Sequence, residues 1–123
     1  MVNIEVINPG TPVAGPYSPA VKANNLLFVS GQISKQGDIK QQTQAILENI
    51  KKIVETAGGN VSNIVKICVF MTDIKEFGMM NSVYKKFFED NGVTKKFPAR
   101  STVEVSDLAI KGLAVEIDAI AAL

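Results

Sequence analysis

Asn63-Ile64-Val65-Lys66-Ile67-Cys68-Val69-Phe70-Met71-Thr72 decides how the rest of the chain is read. Its β-branched and aromatic residues favour a strand, and positions 67–71 are apolar on both of the faces that a period of two defines. Such a strand needs cover on both sides. Segments of helical periodicity flank it. In 39–57, Ile46, Ile50, Ile53, Val54 and Ala57 share one face; Asp38 with Gln41 three positions on is a capping box, and Gly58-Gly59 is a stop. In 74–90, Phe77, Met80, Tyr84 and Phe87 form a second stripe, opened by Asp73 and Glu76 as another capping box.

Working outward, residues 2–7 alternate as a short strand, and 20–23 with 26–32 read as a hairpin turned by Asn24-Asn25. Pro12, Gly15, Pro16 and Pro19 stiffen an irregular loop around Tyr17. Gly31, near the end of the second hairpin strand, marks a bulge or a close approach to the backbone. Strands over 98–105 and 113–122 complete the chain, joined by a loop around Asp107 to Gly112. The order β, β-hairpin, α, β, α, β, β is an α+β pattern: a two-layer sandwich of one mixed sheet with two helices on one face. Two helices leave the second face of strand 63–72 bare. A bare apolar face is expected to be covered by another subunit.

The 123 residues form a single expected domain, 1–123, with 46% hydrophobic and 20% charged residues and a net charge of +1. Basic residues cluster no further than pairs such as Lys95-Lys96, so no footprint for nucleic acid or anionic membrane is visible. Neither a secretory signal nor an apolar run of about 20 residues is seen. One cysteine, Cys68, excludes an internal disulfide and reads as a small core residue; a cytoplasmic location is expected. With no histidine, Ser-His and Cys-His nucleophile pairs and His-Cys zinc sites are unavailable. GxGxxG and GxxxxGK[ST] are both absent.

Among 13 basic residues only Arg100 is an arginine, and it stands in a strand just after Pro98. Its planar fork of donors can grip a carboxylate or phosphate through two parallel hydrogen bonds. The residues alone allow a second reading, an ion pair with Glu104, Glu116 or Asp118. Arg100, Thr102 and Glu104 share one strand face, as do Glu116, Asp118 and Ile120 in the last strand. If those two strands pair antiparallel, Arg100 and Glu116 meet in one polar site, where the carboxylate could position or deprotonate a water.

Four stretches, in order, carry a resemblance. They are Ala14-Gly15-Pro16-Tyr17-Ser18-Pro19-Ala20, Phe28-Val29-Ser30-Gly31-Gln32, Asn81-Ser82-Val83-Tyr84, and Pro98-Ala99-Arg100-Ser101-Thr102-Val103 through Leu108 with Val115-Glu116-Ile117. Together they resemble the Rid (YjgF, L-PSP-type) family over essentially the whole chain. The match is to its archetypal imine deaminase subgroup, defined by an arginine at Arg100 and a carboxylate at Glu116. The resemblance implies a chorismate-mutase-like fold and a homotrimer with sites at subunit interfaces. It implies hydrolysis of 2-iminobutanoate and 2-iminopropanoate, formed from enamines, to 2-keto acids and ammonia, with no metal or organic cofactor. Arg100 would clamp the substrate carboxylate with help from the Thr102 backbone N–H, and Glu116 would hold the attacking water. Tyr17, Ser30, Gly31 and Asn81 would line the pocket. Two departures stand out: Thr102 replaces a cysteine common in relatives, and the loop before Phe97 is slightly longer. Two other functions compete, an endoribonuclease and a non-catalytic keto-acid-binding or chaperone-like trimer.

Overall fold

Residues 2–123 are described by a computed structural model. β1 (Ile4–Ile7) pairs antiparallel with β2 (Ala20–Ala23), which turns at Asn24 into β3 (Leu26–Gln32). Asn24 takes a φ of +54°, the left-handed conformation that its short polar side chain tolerates. α1 (Ile39–Thr56) opens on Asp38, whose carboxylate accepts from Lys40 N and Gln41 N while Gln41 Oε1 accepts from Asp38 N. β4 (Ile64–Met71), α2 (Phe77–Asp90), β5 (Ala99–Glu104) and β6 (Val115–Ala122) follow. One six-stranded mixed sheet results, in the order β1-β2-β3-β6-β4-β5, with α1 and α2 on one face.

The antiparallel pairing of strands 98–105 and 113–122, the condition for Arg100 to meet Glu116, does not form. β4 lies between them, parallel to β5 and antiparallel to β6. Burial explains the choice. β6 and β4 bury Val115, Ile117, Ala119, Ile67, Val69 and Met71 against the helices and take central places, whereas β5 (Ala-Arg-Ser-Thr-Val-Glu) has little to bury and takes the edge. The connection after β5 passes the end of β4, where Val105 N donates to Met71 O and Thr72 N to Ala114 O. Buried Gln42 pins the start of β6 to α1, accepting from Ala114 N at 2.9 Å.

Four other expectations change. The first strand starts at Ile4. Asp73 caps a 3-10 turn over Ile74–Glu76 instead of a capping box with Glu76, and the α-helix proper begins at Phe77. Within α2 the buried stripe is Met80, Tyr84, Phe87 and Phe88; Phe77, expected among them, is exposed. Cys68 is half-exposed on the helix-free face, cross-strand from Asp118, rather than inside the core.

The second face of β4 is bare, as the helix count requires. Ile4, Val6, Leu26, Phe28 and Val103 are exposed on it. Among the described residues, no helix is long and apolar enough to cross a membrane.

Candidate functional site

Arg100 sits in a cross-strand row with Ile67, Ala119, Val29, Ala20 and Ile7, all of which face the helices. Neighbouring strands present register partners to the same side, so Arg100 points toward α2. Its guanidinium carbon stands 4.6 Å from the Tyr84 ring centroid and 5.5 Å from that of Phe77, both within cation–π reach. No carboxylate pairs with it: among the described residues the one ion pair is Lys86–Asp90. Glu104, one of the partners weighed from sequence, instead accepts from Ile74 N at 2.9 Å. The ion-pair reading of Arg100 therefore fails within the chain. Asn81, Tyr84, Lys85, Phe97, Pro98 and Arg100 line a cleft of about 280 Å³. Thr102 lies two residues along on the same face, with its Oγ1 buried and unpartnered.

Glu116 belongs to a second group. Its register partner on β4 is Phe70, on the helix-free face. Gly31 backs directly onto it: a Cβ built there would lie 2.8 Å from the Glu116 carboxyl carbon. Gly31 also falls where the β3–β6 register shifts between Val29 and Gln32, so both readings of this glycine hold. Burial, then the charge of Asp118, pushes the Glu116 carboxyl above its ordinary value. Ser30 Oγ donates to Ser18 O at 2.6 Å and Ser30 N donates to Pro19 O, tying the proline-rich loop to β3. Exposed Tyr17, at the crest of that loop, accepts from Ala14 N and shares with Gly31 a cavity of about 160 Å³.

The seven residues thus divide. Arg100, Thr102 and Asn81 gather on the α2 side of β5, while Glu116, Gly31, Ser30 and Tyr17 gather around the end of β3. Arg100 and Glu116 do not meet in one polar site, because β4 separates their strands and they face opposite ways. Tyr84, read from the sequence as core, is buried as expected and also lines the Arg100 cleft, a role the sequence reading did not give it. Its signal was present: it closes the Asn81-Ser82-Val83-Tyr84 stretch, three residues from Asn81 on one helix face. Among the described residues, no three metal-ligating side chains lie together.

The Endoribonuclease L-PSP family model matches residues 9–123. A RutC family protein of Pyrococcus horikoshii is 46% identical over 115 residues, spanning 87% of this chain and 86% of its own. Among solved structures, Escherichia coli TdcF with bound serine superposes with a TM-score of 0.89 at 37% identity, covering 97% of this chain and 98% of that one. The E. coli YjgF gene product gives 0.88 at 38% identity, covering 96% and 98%.

Proposed function

The chain belongs to the Endoribonuclease L-PSP family, that of the RutC and YjgF proteins, and from that membership we propose that it is a 2-iminobutanoate/2-iminopropanoate deaminase. The observation that carries this reading is the state of Arg100. A guanidinium laid on two aromatic faces at a cleft, with no carboxylate of its own chain, keeps its donors for a ligand's carboxylate. TdcF holds serine, a small 2-amino acid with the same carboxylate.

In the proposed reaction the Arg100 fork pairs with the substrate carboxylate, with the Thr102 backbone N–H on the edge strand as a further donor. The iminium carbon is already electrophilic, so orientation of a water supplies most of what is needed. Glu116 accepts a proton as the water oxygen bonds to that carbon, giving a carbinolamine. Return of the proton to nitrogen lets the C–N bond break, and the departing ammonia takes up the hydroxyl proton, leaving a 2-keto acid and ammonium. Desolvation of Glu116, which raises its proton affinity, suits it to this exchange. Asn81, Tyr17, Ser30 and Gly31 shape the pocket.

A single chain cannot bring Arg100 and Glu116 to one substrate across the sheet. We therefore assign the site to a homotrimer in which Arg100, Thr102 and Asn81 of one subunit face Glu116, Gly31 and Tyr17 of the next. The exposed Val6, Phe28 and Val103 face supports that assembly, since apolar surface of this kind is buried between subunits. The test is the decay of 2-iminopropanoate generated in situ, followed with and without the protein. Unchanged decay would sink the deaminase reading. The family's name raises a ribonuclease; cleavage of RNA that depends on Arg100, with imine decay unaltered, would replace it.

A further inference from the structure

We propose that Tyr84 is the positioning residue for Arg100, its ring face fixing the guanidinium plane at the cleft. The proposal rests on the reading of Arg100 as a carboxylate clamp and adds what holds that clamp.

An arginine side chain on an edge strand has four rotatable bonds and would sample many orientations if left in water. Ion pairs or hydrogen bonds could hold it, but these consume the donors that a ligand needs. The contacts of Arg100 are instead with ring faces. Tyr84 stands 4.6 Å away and Phe77 5.5 Å, so the guanidinium carbon lies over two ring faces while no ion pair takes its N–H groups. Phe77 is exposed, whereas Tyr84 is 5% exposed and fixed from behind. Its ring packs on Phe88 at 4.7 Å and 44°, Phe88 meets Phe87 edge-on at 5.5 Å, and Phe97 at the cleft mouth lies 6.2 Å from Phe88. Phe88 is fully buried. The orientation of the clamp is thus set by the core through one aromatic stack.

The Tyr84 hydroxyl does not supply that packing. It is buried and has no hydrogen-bond partner. Burial holds the phenol neutral, pushing its pKa up to about 12 against the opposing pull of Arg100. No phenolate forms near neutral pH to compete with a ligand's carboxylate for the guanidinium. The ring face is the active element, so phenylalanine should substitute for tyrosine and leucine should not.

Arg100 is the one arginine in the chain, so its Nε–H gives a single resonance in a proton–nitrogen correlation spectrum. Stacking over a ring shifts that proton upfield. The expected result is an upfield Nε–H in the wild type and in Tyr84→Phe, and a shift to the free-arginine position in Tyr84→Leu. In calorimetric titration with 2-oxobutanoate, Tyr84→Phe should bind within about twofold of wild type and Tyr84→Leu about tenfold more weakly, the scale of a partly desolvated cation–π contact. With imine substrate, the leucine variant should raise KM with kcat little changed, as loss of uniform binding does. An unshifted Nε–H in the wild type, equal weakening in both variants, or unchanged affinity in Tyr84→Leu would each overturn the proposal. Should Tyr84→Leu fail to fold, Phe77→Leu on the exposed side replaces it. It should weaken 2-oxobutanoate binding about threefold with the ring-current shift partly lost, and unchanged values would count against the stack. A wild type that binds 2-oxobutanoate with a shifted Arg100 yet does not hydrolyse imine would remove the deaminase reading and leave this inference standing.

Discussion

Arg100 and Glu116 face opposite sides of one sheet, on strands separated by β4. Arg100 pairs in register with Ile67, which is buried under the helices, and Glu116 with Phe70, which points the other way. A site that uses both must be assembled from two chains, and that geometry makes the proposed reaction testable.

Mixing experiments follow directly. Arg100→Ala and Glu116→Gln homotrimers should each be nearly inactive. Subunits exchanged between them should regain part of the activity, because some interfaces then pair an intact Arg100 with an intact Glu116. Sedimentation establishes the trimer, and imine decay in the mixture gives the recovery. Absence of recovery despite demonstrated exchange would show that Arg100 and Glu116 do not complete one site across a subunit interface.

Arg100→Lys keeps the charge and loses the fork. Two charge-assisted hydrogen bonds become one flexible contact, so kcat/KM should fall about 100-fold, and further in Arg100→Ala. Circular dichroism and sedimentation should be unchanged in both. A variant that unfolds or dissociates would instead mark the arginine as structural.

Glu116 titrates above the ordinary carboxylate value because burial and then the Asp118 charge disfavour its ionised form. Activity that needs the carboxylate should therefore rise with pH along a limb set above 4.5. Asp118→Asn removes the neighbouring charge and should move that limb to lower pH. Asp118 itself is raised, first by burial, although Cys68 and Lys66 act in the opposite sense. For both groups the folded state binds the proton more tightly than the unfolded chain. Their contribution to the subunit's stability should thus be greatest below the ordinary carboxylate values, fall as pH rises through them, and level off above the folded pKa. Thermal melts of Glu116→Gln across that range should show a shallower decline than wild type.

Gly31→Ala tests the close approach at the bulge. The added methyl meets the Glu116 carboxylate, the far end of a flexible side chain, so the carboxylate yields rather than the fold. We expect at least a tenfold loss in kcat from the displaced base, with a melting temperature within a few degrees of wild type. A large loss of stability with normal kcat would show that Gly31 serves the bulge alone.

Local chemistry made most of the elements legible. Asp38 with Gln41 caps α1, Asn24 makes the hairpin turn, and the Ile46, Ile50, Ile53, Val54 stripe packs inward, because capping, turn geometry and periodicity depend on residues a few positions apart. The residue types needed for chemistry were equally plain: one arginine, no histidine, and a carboxylate on the next strand of the chain. Strand order was not legible. The sequence left open whether β5 and β6 pair, and only competition for burial against the helices placed β4 between them. From that one non-local choice came the facing of Arg100 and Glu116, the aromatic seat of the guanidinium on Tyr84, and the contact of Gly31 with Glu116. Each depends on which surfaces of distant segments exclude water together, a quantity no local window contains.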